Sequence, residues 1–420
     1  MSNTTLTADI IAKEAVMILE NECVMANLVS RAHEDEFSKS VNGYTVGESV
    51  SVRRHTDFTV RTGATASIQD VVEGKTTFTV DTQIGIDFKF TSQDLTLQIK
   101  DLSERVMKPA MVQLAEYIDR DVMSLYKEIP NHVTIPSGGI DSFADFALAG
   151  TRADLIAIPT DERYAVLNPT DHALLIGSQT ALYMQDVAKG AYRKGKLGEI
   201  NGFETYKSNN VPTHTYGSRE GTDLVDQALV DGTHTWALYK DATTVTLHID
   251  GFSADAAGIT VKGDTFTISD VYDVNPVSKA TLAHLKMFTV MSTSVTSASN
   301  EADVSIWPPL ILSGAQKTAN LSSGTEINDN TVTWQGTAST AFRQNLFFHK
   351  NAFGLAMVPM VKPPGAQDVG RRSYKGFSVR VIPYYDGTND VSNWRLDLLY
   401  GKKTLDPRLA VRASLAADIS

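Results

Sequence analysis

The chain has 420 residues and a single cysteine, Cys23. That excludes a disulfide framework and a thiolate-built metal centre, and it fits a reducing cytosol. No apolar run reaches roughly 18 residues, the least that a membrane-spanning helix requires. A basic excess is also missing: 38 Lys+Arg against 49 Asp+Glu leave a net charge of −11, so the whole molecule is not an electrostatic nucleic-acid binder. The opening residues carry neither a basic n-region nor a continuous apolar h-region, so no secretory leader is expected. Repeats and low-complexity segments are absent. What is present is ordinary: 42% hydrophobic and 21% charged residues, with 28 Gly and 14 Pro, in a length that suggests two or three domains.

The hydrophobic pattern changes several times along the chain. Residues 5–31 carry Ile10/Ile11, Met17/Ile18 and Val24/Met25 at seven-residue steps, the pattern of an amphipathic helix. Such a helix either packs on its own domain or serves as an arm docked on a partner. From 44 to 91 the period becomes two, through Val46, Val50, Val52, Phe58, Val60, Phe78, Val80, Ile84, Ile86, Phe88 and Phe90. Between these strands the small, polar stretch Arg61–Gly74 reads as the tip of a long two-stranded hairpin. A lone ribbon is marginal in water, so it needs a second surface, on this chain or on another.

Thr91–Asp94 supplies a capping box. Leu95, Ile99, Leu102, Val106, Ala110, Leu114, Ile118, Val122, Leu125 and Ile129 follow as one helical stripe ending at Pro130. At ~1.5 Å per residue this helix would span roughly 55 Å, with a kink expected at Pro109. Helices over Asp141–Ile158 and Thr170–Lys189 then alternate with strands at Tyr164–Asn168 and Gly198–Pro212. From Gly217 to about Thr340 helical periodicity stops. Strands are expected at Thr235–Lys240, Thr244–Phe252, Gly258–Val274, Leu282–Val295, Ala302–Leu312 and Asn330–Gln335, as in a small antiparallel barrel or sandwich inserted into another domain. Longer strands return over Leu346–Val361 and Ser378–Leu399. The class is α+β.

Catalytic chemistry finds little support. Gly190–Leu197 fits a phosphate loop except at Leu197, where a hydroxyl is needed for magnesium. None of the nine histidines stands four residues from another, so no helical zinc pair exists and no metal site is expected. No nucleophile elbow occurs, and Cys23 on its helix reads as a small buried hydrophobe. Asp386–Asp390 reads as a hairpin turn and not a calcium loop. Basic clusters at Arg53/Arg54, Arg193/Lys194/Lys196, Arg371/Arg372/Lys375 and Lys402/Lys403 read as solvated faces, salt-bridge partners or docking points for acidic neighbours. No enzyme and no cofactor is expected.

In their order, several strings resemble the major capsid (coat) proteins of tailed bacteriophages, with the Hong Kong ninety-seven-type fold. The likeness is to the short-tailed-phage branch that carries an inserted β-domain. Arg163–Pro169 with the Leu174/Leu175 helix is similar to a segment of that family's axial domain, and Ile200–Phe203 closing in Ser208–Pro212 resembles the strand after it. Phe348–Ala356 is similar to the return after the insertion, and Arg395–Pro407 with Leu409–Val411 to the closing strands. The resemblance implies an N-terminal arm (1–35) and a peripheral domain (36–130, completed by 396–420) with an extended hairpin loop (47–75) and spine helix (92–129). It further implies an axial domain (131–216 and 341–395) and an inserted barrel-like β-domain (217–340).

It also implies the partners: the chain itself, as pentamers and hexamers of an icosahedral shell, a scaffolding protein and a portal protein. The shell would enclose double-stranded DNA without reading its sequence, be assembled in the host cytoplasm and expand on packaging. The negative net charge suits a container for DNA. On this reading Arg53, Arg54 and Arg61 meet carboxylates on a neighbour's spine helix, and Pro109 is a hinge. The family's best-known member cross-links its subunits through a lysine and an asparagine; Lys75 is available, but nothing marks a partner, and no cross-link is expected. Two other classes stay open. A nucleotide-handling enzyme would use the 190–197 loop and lose binding on Lys196→Ala; a tail or fibre protein would form trimers or tubes.

Overall fold

The computed structural model describes residues 8–38, 40–41, 44–45, 47–54, 56–66, 68–91, 106–136, 138–179, 197–219, 222–227, 235–253, 257–295, 300–322, 326–363, 365 and 369–415. The expected α+β class is the one observed. The chain divides into two compact units, one of Met1–Ser51, Thr77–Met123 and Phe353–Lys403, the other of Val52–Thr76, Ser124–Ala352 and Thr404–Ser420. No helix among the described residues is long and apolar enough to cross a membrane.

In the first unit, α1 (Ala8–Glu22) buries Ile11, Ala12, Ala15, Val16 and Leu19. These lie against the strands Gly370–Tyr374 and Phe377–Asp386 and against the spine helix. Of the two alternatives for this segment, packing on its own chain is the one seen. The approach is close: a Cβ at Gly370 would lie 2.1 Å from the carbonyl oxygen of Ala8. The helix expected to run to residue 31 instead stops at Glu22 and restarts as α2 (Met25–Leu28), before α3 (Glu34–Ser38). The cause is Asp119, which accepts the backbone N–H groups of Val24 (2.6 Å) and Ala26 (2.9 Å) and so satisfies donors orphaned at a helix start. Burial pushes its carboxyl up to about 6.

Asp119 sits on α4 (Lys108–Met123), with Ala110, Met111, Leu114, Ala115, Ile118 and Val122 on the same buried stripe. The stripe ends as expected, though its last turn, Ser124–Glu128, tightens to a 3₁₀ helix. Residues 92–105 of the expected spine lie outside the described residues. Pro109 is the second residue of α4, directly after a π turn at Val106 and Met107. The unit's sheet runs Phe353–Met357, Val391–Thr404, Phe377–Asp386, Gly370–Tyr374, with Thr82–Thr91 also paired to Val391–Thr404. Residues 386–390 make the turn of a hairpin, as read from sequence, with Asp386 accepting from the Thr388 N–H and the Asn389 amide.

The second unit is built on a six-stranded mixed sheet, in the order His132–Ile135, Ala410–Leu415, Asn345–His349, Arg163–Leu167, Phe203–Lys207, Glu199–Ile200. Its core holds α5 (Phe143–Leu155), with Ser142 capping the Asp145 N–H, and Leu175 of α6 (Pro169–Gln179). Phe146, Phe203 and Phe347 meet edge-on there, at centroid distances of 5.1 to 6.4 Å. The chain leaves this sheet on Thr213–Thr215 and returns on the antiparallel Ala341–Arg343.

Between those two strands lies a seven-stranded antiparallel sheet around its own core of Leu247, Ile249, Phe266, Phe288, Val304 and Ile306. The strand expected at Thr235–Lys240 is instead a short helix, α7 (Trp236–Tyr239), none of whose residues is buried. Over so few residues, apolar periods of two and 3.6 cannot be told apart. A strand at Ala319–Leu321 was not anticipated.

At the root of this insertion is a buried polar network. Asp264, wholly buried, accepts from His214 Nε2 (2.8 Å) and from the Val261 and Gly217 N–H groups. A carboxylate only accepts, so Nε2 carries the hydrogen and Nδ1 accepts from the Tyr126 hydroxyl at 2.9 Å. Arg412, also wholly buried, donates to the Gly263 carbonyl at 2.5 Å. His132 lies between Thr265 and Ser414 hydroxyls at 2.9 and 2.6 Å.

Burial holds both histidines below their ordinary range, so the unfolded chain takes up protons first as pH falls through about 6.5. Burial acts in the opposite sense on Asp119 and on Glu34, the latter pushed up to about 7; their contribution is present at low pH and lost as pH rises through 6 to 7. Between pH 7 and 5, hydrogen-exchange protection factors, which remove the intrinsic fall of base-catalysed exchange, are therefore expected to drop at residues 213–217 and 263–265 and to rise around 24–26. A uniform response in both places would contradict this.

Candidate assembly surfaces

The strands Ser49–Arg53 and Lys75–Thr79 pair with each other and open a loop whose middle has no strand structure. The expected ribbon is thus shorter than the period-two pattern suggested. Its base rests on the same chain. Trp236 donates its indole N–H to the Val72 carbonyl (2.8 Å), and the Asp241 carboxylate accepts the Lys75 N–H (2.9 Å). Asp57 pairs with Lys279 (2.8 Å) and Arg408 (3.5 Å). Further out, Gln69 clasps Thr59 through the backbone N–H, the hydroxyl and the carbonyl.

The three arginines have different fates. Arg53 is strongly exposed and pairs with Glu73 of the same loop at 3.1 Å. Arg54 turns inward, donating to the carbonyls of Lys240 (3.1 Å) and Ala242 (2.9 Å) with its guanidinium over the Trp307 ring at 5.2 Å. Burial lowers its pKa. Arg61, exposed, folds onto the Gly63 and Thr65 carbonyls. Among the exposed polar residues Thr62, Thr65, Asp70 and Glu73, the loop also presents apolar side chains outward: Val60 is 94% exposed and Ile68 92%, with Val71 and Phe58 also open. Sequence reading missed Asp57, Trp236 and Asp241 as supports of this loop, because their partners lie in distant segments with no local signature. The outward valines and Ile68 were present in the tip, masked by its small and polar neighbours.

Elsewhere the predicted features take ordinary positions. Cys23 is buried, and burial pushes its thiol far up, as suits a small hydrophobe. The Gly190–Lys196 part of the phosphate-loop-like string lies outside the described residues. Among the basic pairs, Arg372 meets Asp9 (2.9 Å), Lys375 meets Glu20 (2.8 Å) and Lys402 meets Asp121 (2.5 Å), so these serve as salt-bridge partners.

Two groups of side chains place a histidine among carboxylates at distances a metal ion would span, Asp161/Glu162/His349 and Asp226/His248/Glu301. In the first, the Asn351 N–H donates to His349 Nδ1 (3.2 Å), so the ring's other nitrogen carries the hydrogen, and Glu162 is already paired with Lys350 (2.6 Å). That group is satisfied as it stands.

A Cβ placed on Gly74 would sit 2.2 Å from the Lys240 carbonyl oxygen, whereas one on Gly47 meets nothing within 4 Å. Gly74→Ala is therefore expected to cost about 1–3 kcal/mol and to open residues 56–72 to protease. Gly47→Ala should leave melting and cleavage unchanged.

A family profile described as "P22 coat protein - gene protein 5" matches residues 1–412. The "Major capsid protein" of Acyrthosiphon pisum secondary endosymbiont phage 1 is 24% identical over 423 residues, covering 96% of each chain. Solved phage structures follow a similar path at low identity. One from Mycobacterium phage Che8 is 14% identical with a TM-score of 0.48, covering 93% of this chain and 90% of that one. The capsid of Ralstonia phage GP4 is 9% identical with a TM-score of 0.45, covering 94% and 89%. With the profile running through all but the last residues, the chain belongs to the P22 coat protein family.

Proposed function

We propose that this coat protein assembles, as pentamers and hexamers of itself, into an icosahedral shell around double-stranded DNA, through a scaffolded precursor that expands on packaging. The observation that carries the reading is the family match over residues 1–412. The loop supports it. Val60, Ile68 and Val71 stand out in water beside Arg53 and Arg61, and an apolar tip of this kind gains from a second surface. Heterologous contacts close into rings where the rotation from subunit to subunit divides a full turn.

The domain scheme of arm, peripheral, axial and inserted parts, the hinge at Pro109, the scaffolding and portal partners and cytoplasmic assembly belong to the same proposal. So does the absence of catalysis. The one Tyr–His–Asp relay in the described residues, Tyr126–His214–Asp264, is sealed from solvent, where no substrate reaches it.

Electron microscopy of the protein co-expressed with its scaffold tests the reading: closed shells of uniform diameter are expected, and a stable monomer or an open tube would refute it. The arginines separate assembly from folding. Arg53→Glu with Arg61→Glu should lower particle yield and leave the melting temperature of the free subunit unchanged. Arg54→Glu should instead destabilise the subunit, since it buries a carboxylate against two carbonyls.

A further inference from the structure

We infer that the outer face of the inserted domain carries a divalent-metal site made by His248, Asp226 and Glu301. The donors come from neighbouring strands. His248 lies in Val245–Asp250, where Leu247 and Ile249 point into the core and His248 points out. Asp226 directly follows Leu224–Val225, the strand paired on one side, and its N–H donates to the His248 carbonyl. Glu301 directly precedes Ala302–Trp307, the strand paired on the other side. A sheet holds donors more firmly than a loop does.

The tautomer decides what the site can take. Asp303 stands directly across the strand pair from His248, with its Oδ1 2.8 Å from Nδ1. A carboxylate only accepts, so Nδ1 carries the hydrogen. In the neutral ring Nε2 is then a bare lone pair, and it faces Asp226 Oδ2 at 3.9 Å and Glu301 Oε2 at 3.8 Å. An imidazole nitrogen set among carboxylate oxygens takes up a cation there, either a proton, which makes these contacts ion pairs, or a metal ion in its place. Among the described residues no lysine or arginine pairs with any of the three carboxylates; the one basic side chain they meet is His248. A metal-ligating histidine whose other nitrogen is held by a carboxylate is the usual outer support of a zinc ligand. One imidazole with two carboxylates and open water positions suits Zn²⁺ and related first-row ions better than Ca²⁺ or Mg²⁺, which take oxygen donors. The other histidine group, around His349, lacks this arrangement because its tautomer is fixed the opposite way.

Sequence spacing gave no hint of this, since the three donors share no motif and are brought together only by strand pairing.

The test is calorimetric titration of the purified full-length protein with Zn²⁺ alone at pH 7.5, with Co²⁺ absorption as a second readout. One equivalent is expected to bind, with a Co²⁺ spectrum showing nitrogen ligation. Binding should weaken at least 100-fold in His248→Ala, and by about 10–100-fold in Asp303→Ala, which removes only the outer support. His349→Ala should bind as wild type. Circular dichroism establishes that each variant is folded, and Asp226→Asn with Glu301→Gln, both outward and isosteric, stand in if His248→Ala does not fold. Absence of binding by the wild type, or equal binding by folded variants, would overturn the site. Neither result bears on shell assembly.

Discussion

Two charges that no water reaches govern the second unit. Arg412 and Asp264 are both wholly buried, and an unpaired buried charge is among the costliest things a fold can hold. The strands around them are arranged to answer that cost. Asp264 is ringed by one imidazole and two backbone N–H groups. Arg412 reaches the Gly263 carbonyl and lies over the Tyr126 ring at 5.9 Å, while its Nε and Nη1 have no acceptor among the described residues. Because the groups come from the 3₁₀ turn after the spine, the six-stranded sheet and the inserted sheet, none of these can shift without exposing the others. The insertion is therefore fixed at its root by polar chemistry, while apolar packing fills its interior.

The loop after Arg53 shows the complementary strategy. Its base is tied by dispersed, mostly backbone-directed bonds, which tolerate small displacements, and its tip keeps apolar groups in water at a cost. Firm attachment near the sheet presents the tip in one place, with Val60, Ile68 and Val71 held open to water.

How much was legible in the sequence follows from how local each feature is. The alternation over Ile84–Phe90 and the stripe from Ala110 to Val122 were readable because each element keeps its apolar residues on one face, half-buried in the strand and buried in the helix. The turn at Asp386–Asp390 was readable from its own residues. The break between Glu22 and Met25 was not, because Asp119, which causes it, lies on another helix and looked like a polar residue between Ile118 and Val122. Trp236–Tyr239 misled because four apolar residues fit either period. The resemblance to phage coat proteins came from the order of elements across the chain. The placement of Arg54 against two carbonyls could come only from the fold, since Lys240 and Ala242 form no pattern with it.

The position of α1 bears on the order in which this chain can be made. Its buried face is completed by strands near residues 370–386, so α1 waits for residues synthesised about 350 positions after it. The insertion closes on itself within a continuous stretch, and its sheet can form while the remainder is still emerging. Contacts that span most of a chain form slowly, and during that wait Ile11, Val16 and Leu19 remain uncovered. Until residues 370–386 arrive, that bare apolar stripe is the face on which two nascent chains would meet.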